Sequence, residues 1–153
     1  MSSSSIKTLE PPQIVTDTKI LRIKSKDWSG TEEELARLLL DMKIVMTEND
    51  GVGISAIQIG KPYRVFIANN IAFVNPTLKS RSPYERKDWE GCLSCPGAHV
   101  RIKRAAQVEV AFTNHLGVKV EGKFKDLAAR VIQHEFDHLN GILITDRGKV
   151  YQE

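Results

Sequence analysis

The sequence predicts an α+β fold with antiparallel or mixed strands packed around a central helix. Three observations support this prediction. An amphipathic helical pattern spans residues 32–48, a second helix carrying an H-E-x-x-H motif is predicted to end near Asn140, and the strand-like segments lie between them. Because strands and helices do not alternate regularly, a doubly wound parallel sheet is disfavoured.

The amino-terminal third is predicted to contain one substantial helix. Residues 1–8 include four serines and are expected to be a disordered lead-in, and residues 10–28 are expected to be extended or irregular. Thr31 and Glu34 form a capping box. Apolar side chains then recur at helical spacing through residues 32–48, which predicts an amphipathic helix with a buried face.

The middle of the chain contains the strand patterns. Residues 63–68 and 71–78 are predicted strands, and the polar residues 79–89 are predicted to form a loop. Alternating apolar side chains on both sides of a turn at 114–117 predict a β-hairpin. Residues 142–144 are predicted to form one short strand near the end.

The second helix is predicted to begin with Asp126 as its N-cap and to end at Asn140, before Gly141. Leu127 and Val131 lie on the same stripe of this helix as His134. That stripe is therefore expected to be buried, and a buried histidine needs a partner such as a metal ion.

Length and composition are those of a single domain over residues 1–153. Apolar residues make up 41% of the chain, and no run of about 18 apolar residues predicts a membrane span. The net charge is +3, and the densest basic cluster is Arg101, Lys103 and Arg104. We expect that cluster to be a solvated strand face and no specific nucleic acid to bind, because no aromatic platform accompanies it.

The H-E-x-x-H motif supplies two metal ligands, His134 and His138, which lie four residues apart on one helical face. Glu135 is placed to act on a water molecule as a general acid or base. Catalytic sites of this kind use three protein ligands, so a third must come from elsewhere. Cys92, Cys95 and a carboxylate are the candidates.

The C-x-x-C pair of Cys92 and Cys95 leaves three interpretations open. Both cysteines with His134 and His138 would make a closed, structural C2H2 zinc site. A thioredoxin-like redox pair is the second possibility, but the required βαβ context is missing. In the third, one cysteine is a ligand and the other is a bystander.

Three ordered segments resemble peptide deformylases. The first segment, Gly51–Gln58, matches the family motif G-x-G-x-A-A-x-Q except at Ser55. The other two match fully: E-G-C-L-S at Glu90–Ser94 and Q-H-E-x-D-H at Gln133–His138. The resemblance covers about residues 14–145. It implies an enzyme that removes the formyl group from the N-terminal formyl-methionine of new polypeptides.

The resemblance implies a role for each matching residue. Cys92, His134 and His138 would bind one divalent metal ion, Fe²⁺ in the cell, with Zn²⁺, Ni²⁺ or Co²⁺ as substitutes. Glu135 would be the general acid/base, while the Gln58 amide and the Leu93 backbone N–H would stabilise the oxyanion.

The expected substrate pocket accepts a methionine side chain and should have an apolar lining. The residues assigned to it are Gly53, Ile54, Gly91, Leu127, Arg130 and Val131. For Arg130, a salt bridge with Asp126 is favoured over a role at the pocket rim. Cys95 is expected to be a small buried residue near the site, and His99 stands where the family often has an arginine.

The expected partners are N-formyl-methionyl peptides, and no association with a membrane is expected. The short segment after His138 resembles the phage-encoded members rather than those with a long C-terminal helix. Ribosome association would therefore use another surface or be absent. A cytoplasmic location is expected.

Overall fold

The computed structural model describes residues 11–153 as two antiparallel sheets and three helices. The helices are α1 (Thr18–Leu21), α2 (Glu32–Glu48) and α3 (Asp126–Leu139). The five-stranded sheet has the order β1 (Gly53–Ser55), β2 (Val65–Ala68), β3 (Ile71–Arg81), β6 (Gln107–Thr113) and β7 (Lys119–Lys125). The three-stranded sheet has the order β4 (Glu85–Cys92), β5 (Cys95–Ala105) and β8 (Val150–Gln152). The predicted α+β class is confirmed.

Helix α2 has the predicted bounds and the predicted cap. The Thr31 hydroxyl accepts a hydrogen bond from the Glu34 backbone N–H at 3.1 Å, and the Glu34 carboxylate accepts one from Thr31 at 2.9 Å. Its apolar stripe, which includes Met42, is buried against β1 and β2. This packing holds the segment that follows α2 against the centre of the molecule.

Helix α3 is central, as predicted, because it contacts strands of both sheets. It ends at Leu139, and Gly141 follows with a φ of +73°. Asp126, however, is not the N-cap. The cap position is Lys125, and Asp126 is the first helical residue with its carboxylate 3.1 Å from Arg86 on β4. The ion pair to the neighbouring sheet takes the place of the capping interaction.

The prediction of a loop at residues 79–89 was wrong. Strand β3 continues to Arg81, and β4 occupies Glu85–Cys92 at the edge of the smaller sheet. In β4 the one buried residue is Glu90, so the strand lacks the alternation of apolar side chains that would reveal it. An edge strand with polar side chains on both faces resembles a loop in sequence.

Three further predictions can be compared with the described residues. Residues 142–144 are not a strand: Ile144–Asp146 is a 3₁₀ turn, stabilised by the Asp146 carboxylate accepting the Leu143 N–H at 2.9 Å. The segment 10–28 contains the short helix α1. The hairpin around 114–117 is confirmed as β6 and β7. The expected lead-in at residues 1–8 lies outside the described residues.

Within residues 11–153, no helix is both long enough and apolar enough to cross a membrane.

Candidate metal centre and active-site cleft

Three of the predicted ligands come together in space. Potential ligand atoms of Cys92, His134 and His138 all lie within 4.8 Å of one another. The sulfur of Cys92, at the end of β4, is 3.4 Å from Nε2 of His138 on α3. Cys95 is not part of this cluster among the described residues. The arrangement is a three-donor site, so it does not support the closed C2H2 alternative.

The donor set fits a divalent metal ion. Burial lowers the pKa of His138 to about 3, so its imidazole is neutral and can coordinate. Its Nδ1 is buried and makes no hydrogen bond within the described part of the chain. The hydrogen bond with Cys95, together with burial, raises the pKa of the Cys92 thiol, and a bound cation would displace that proton.

Glu90 orients the His134 ring. Its Oε1 lies 2.9 Å from Nδ1 of His134, which leaves Nε2 of that ring available for the ligand cluster. Burial alone would raise the pKa of Glu90, but hydrogen bonds from Arg104 and His134 outweigh it and lower the pKa. The carboxylate is therefore ionised and holds the imidazole in one orientation.

The carboxyl group of Glu135 is buried beside the ligand cluster. It is buried on α3, and burial raises its pKa to about 7. The Ser55 hydroxyl lies 2.9 Å from Oε1 of Glu135 and within 3.2 Å of the Glu135 carbonyl oxygen. Ser55 was seen in the sequence only as a departure from a motif, because nothing there indicates that β1 passes beside α3.

The glycine at position 53 allows this close approach. A Cβ atom added to Gly53 would lie 2.7 Å from Oε2 of Glu135 and 2.9 Å from a Val131 methyl group. Real Cβ atoms do not approach that closely, so a larger residue at position 53 would displace the Glu135 carboxylate, the Val131 side chain or the strand. The backbone approach that the G-x-G pattern allows is present at this position.

The Gln58 side chain is fixed next to Cys92. It is buried in a 3₁₀ turn, Ala56–Ile59, where its Oε1 accepts the Ser55 N–H at 2.9 Å. Its Nε2 donates to the Ser94 hydroxyl at 3.0 Å and lies 3.8 Å from the Cys92 sulfur. Gln58 therefore places an amide donor at the ligand cluster.

A buried ion network supports the site from behind. Arg104 is 5% exposed and donates through Nε and Nη2 to the two Glu90 oxygens at 2.9 Å, and through Nη1 to Asp137 at 2.7 Å. Arg147 also binds Asp137, with its Nη2 at 2.6 Å. The expectation that Arg104 lies on a solvated face was therefore wrong.

The reason lies in strand alternation. Arg104 and Ile102 point to the buried face of β5, whereas Arg101 and Lys103 point outward. A buried arginine can be predicted from sequence only when its carboxylate partners are known. The partners of Arg104 are Glu90 and Asp137, which lie on β4 and α3, so the local sequence of β5 does not reveal its burial.

Arg130 belongs to the same network, and its predicted salt bridge with Asp126 was wrong. Its Nη1 donates to Glu90 at 2.7 Å and to the Ile102 carbonyl at 3.0 Å, while Nη2 donates to the Arg86 carbonyl at 2.7 Å. Arg130 lies on the side of α3 that faces the smaller sheet, so its guanidinium is buried. Asp126 is exposed and pairs with Arg86 instead.

A cleft of about 400 Å³ opens over the ligand cluster. The predicted pocket residues that line it are Gly53, Gly91, Leu127, Arg130 and Val131. Ile54 does not: it is fully buried in the core with α2, because alternation along β1 turns it away from the cleft. Leu127 is 67% exposed and lies at the rim rather than on a buried face.

Further residues also line the cleft. Trp89 contributes from β4, His99 and Cys95 contribute from β5, and Leu93 lies in the turn between these strands. His99 also contacts Glu153 at 2.7 Å. Cys95 is half-buried beside Cys92, as expected for a small residue near the site. Trp89 was hidden because β4 itself was not predicted.

Known proteins share this architecture. A family model described as polypeptide deformylase matches residues 12–152. A peptide deformylase of Dictyoglomus turgidum is 43% identical over 132 residues, which cover 84% of this chain and 86% of that protein. The crystal structure of peptide deformylase from Thermotoga maritima superposes with a TM-score of 0.88 at 36% identity, covering 92% of this chain and 99% of that one.

A probable peptide deformylase from Synechococcus phage S-SSM7 has a TM-score of 0.84 at 34% identity, with 89% of this chain and 99% of that chain covered. The match extends over nearly the whole described chain in both sequence and fold. The chain therefore belongs to the peptide deformylase family.

Proposed function

We propose that this chain removes the formyl group from the N-terminal formyl-methionine of newly made polypeptides, with a divalent metal ion held by Cys92, His134 and His138. The observation that carries the proposal is the three-donor cluster beside a buried carboxylate at the floor of an open cleft. A structural zinc site would use four protein donors and would need no such carboxylate.

The metal supplies Lewis acidity when bound and lowers the pKa of water toward neutrality. Glu135 accepts a proton from the attacking water and delivers it to the leaving amine. Oxygen from water joins the formyl carbon, the C–N bond breaks, and formate and a free amine result. A carboxyl with a pKa near 7 can both accept and release a proton at neutral pH, which supports this role.

The Gln58 amide and the Leu93 backbone N–H are assigned to the developing oxyanion. Gln58 is held by Ser55 and Ser94, so its donor is aimed before the substrate arrives. Leu93 lines the cleft directly after Cys92. Removal of one such donor typically lowers turnover by about 10²–10³.

The methionine side chain is assigned to the apolar part of the cleft. Val131 and Leu127 lie one turn apart on α3 and line the cleft, and Gly53 and Gly91 line it without side chains. Arg130 stays within the ion network and acts on the cleft through Glu90 rather than by binding the peptide.

Further assignments follow from the proposed reaction. Fe²⁺ is the metal proposed in the cell, with Zn²⁺, Ni²⁺ or Co²⁺ as substitutes, since a His₂Cys site suits several ions and availability decides. We also propose a cytoplasmic location and contact with the ribosome through a surface other than a long C-terminal helix. An assay on metal-stripped protein reloaded under anaerobic conditions, with each ion in turn, tests the metal assignment.

A glutamine at position 135 tests the mechanism. Glu135→Gln keeps the size and a hydrogen-bond acceptor for Ser55 but removes the carboxylate. We expect metal content to stay at the wild-type value and kcat on formyl-Met-Ala-Ser to fall by about 10²–10⁴. Turnover like that of the wild type would falsify the proposed function.

Serine substitutions at the two cysteines test the ligand set. Cys95→Ser should retain metal and deformylation, because Cys95 lies outside the ligand cluster. Cys92→Ser should lose most of its metal, measured by elemental analysis after gel filtration. Equal metal loss in both variants would instead indicate the closed four-ligand site.

A further inference from the structure

The outer face of the three-stranded sheet combines basic and aromatic side chains. Its members, named the basic-aromatic face here, are Lys87, Trp89, Arg101, Lys103, Lys149 and Tyr151. They surround a shallow pocket of about 400 Å³, and within residues 11–153 no carboxylate lines it. Arg147 also lines the pocket but is paired with Asp137.

Strand register brings these side chains together. Lys87 is opposite Lys103, and Trp89 is opposite Arg101, in the antiparallel pair of β4 and β5. Directly opposite residues project from the same face of a sheet. Like charges directly opposite each other destabilise a sheet, so the Lys87–Lys103 pair has a cost that an anionic partner would remove.

Two aromatic rings stand on the same face. Trp89 and Tyr151 are 52% and 48% exposed, and their ring centroids are 5.2 Å apart in an edge-to-face arrangement. The Lys149 ammonium lies 5.3 Å from the Tyr151 ring centroid. Large aromatic side chains this exposed, with cations beside them, are the elements of a stacking platform.

This arrangement supplies what the sequence lacked. The cluster of Arg101, Lys103 and Arg104 did not predict nucleic-acid binding because no aromatic residue lies nearby in sequence. The fold removes Arg104 into the interior and brings Trp89 and Tyr151 to the remaining two cations from neighbouring strands.

We propose that the basic-aromatic face binds single-stranded RNA, with its cations on phosphates and Trp89 and Tyr151 stacked on bases. An acidic peptide would use the charges but would supply no base to stack on the exposed parts of the two rings. The choice of RNA over DNA rests on the proposed function. The substrate is a newly made polypeptide, and its amino terminus emerges from the ribosome, where RNA is close by.

The basic-aromatic face lies next to the cleft in which the newly made polypeptide would bind. Trp89 lines both the catalytic cleft and the basic-aromatic face. His99 lines the cleft and is opposite Tyr151 in the pairing of β5 and β8. RNA bound here would therefore lie next to the entrance of the cleft and would hold the enzyme near emerging amino termini.

Fluorescence anisotropy with a labelled single-stranded RNA of about 12 nucleotides tests the proposal on the metal-loaded full chain. We expect binding that weakens steeply between about 50 and 200 mM salt. Arg101→Gln/Lys103→Gln should reduce the salt slope by about 1.4, which corresponds to two lost phosphate contacts. Tyr151→Ala should weaken binding on the order of tenfold through lost stacking.

A matched control removes the same charge elsewhere. Lys119→Gln/Lys123→Gln changes two exposed residues of β7, in the other sheet, and should leave the salt slope and the Kd nearly unchanged. An equal loss in this control would overturn the proposal, because net charge alone would then explain binding. Equal affinity for duplex RNA or for polyglutamate would also overturn it, because neither offers unpaired bases.

Activity on formyl-Met-Ala-Ser is measured on the same samples. The double variant at Arg101 and Lys103 should retain turnover, since neither residue contacts the catalytic cleft. A chain that binds RNA but does not deformylate would contradict the proposed function and leave RNA binding intact. An active chain without RNA binding would overturn only the present proposal.

Discussion

The geometry of the candidate site depends on how closely individual atoms approach one another. Glu135 sits in a space bounded by Gly53 on one strand and Val131 on its own helix. The Ser55 hydroxyl fixes one of its oxygens, and the backbone of Gly53 leaves room for the other. The position of the Glu135 carboxylate therefore depends on the small residues Gly53 and Ser55 of β1.

Alanine substitutions at two glycines of the cleft test whether the close approach of Gly53 to Glu135 matters more than the loss of a glycine as such. Gly53→Ala places a Cβ 2.7 Å from Oε2 of Glu135, so the carboxylate or the strand must shift. We expect it to destabilise the fold by about 1–3 kcal/mol and to lower kcat. Urea denaturation and a steady-state assay measure the two effects.

Gly91→Ala is the matched control. Its added Cβ would meet nothing closer than the Ala98 carbonyl oxygen at 3.8 Å, and Gly91 has no left-handed backbone. We expect a stability change within about 0.5 kcal/mol. If both alanines destabilised the chain equally, crowding at Glu135 would not be the cause, since Gly91 has no such close neighbour.

At the scale of elements, the two faces of strand β5 lie in different environments. Arg104 on the inner face joins Glu90 of β4 to Asp137 of α3, while Arg101 and Lys103 on the outer face meet solvent. The inner face therefore couples both sheet and helix to the orientation of His134 through Glu90. Two arginines three residues apart on one strand have different energetic roles.

Methionine substitutions at these arginines measure that difference. Arg104→Met leaves Glu90 and Asp137 buried with fewer cations, and we expect a loss of about 3–5 kcal/mol of stability. Arg101→Met removes an exposed charge and should change stability by less than about 0.5 kcal/mol. Chemical denaturation of both variants checks the values, and similar losses would contradict the burial of Arg104.

At the scale of the molecule, the main helices and two of the three potential metal ligands are predictable from the residues, whereas the smaller sheet is not. The third potential ligand, Cys92, was assigned only by the resemblance. Helix α2 and the β6–β7 hairpin follow from apolar periodicity and turn residues, and His134 and His138 follow from helix geometry. Strand β4 has no such pattern because its single buried residue is charged.

The missed features share one physical cause. The ion pairs of Arg104 and Arg130 with Glu90, and the contact of Trp89 with Tyr151, join residues that are 14 to 62 positions apart. Local patterns report which residues are apolar, but not which distant partner neutralises a buried charge. Only the assembled sheet and helix decide those pairings.

One such long-range pair gives the molecule a pH dependence. Arg22, which follows α1, forms a two-bond ion pair with Asp146, with Nη2 and Oδ1 2.8 Å apart, and also donates to the Gly141 carbonyl at 3.3 Å. The hydrogen bond from Arg22 is the main reason that the pKa of Asp146 is lowered. The pair ties the amino-terminal segment to the residues that follow α3.

The direction of the pH effect follows from the lowered pKa. A carboxyl group whose pKa is lowered in the folded state contributes stability above the pKa of the unfolded chain, about 3.9, and this contribution is lost as pH falls through the folded value.

The side chains of Arg22 and Asp146 are 46% and 36% exposed, so solvent screening limits the contribution to about 1 kcal/mol or less. Arg22→Gln should therefore lower stability at pH 7 by at most that amount, with the difference shrinking as pH falls below about 3.9. Urea denaturation across this range measures it, with Arg81→Gln, an exposed arginine at the end of β3, as the variant expected to show no such trend. A deficit for Arg22→Gln that stayed constant with pH would mean that its hydrogen bond to Gly141, rather than its charge, holds the two segments together.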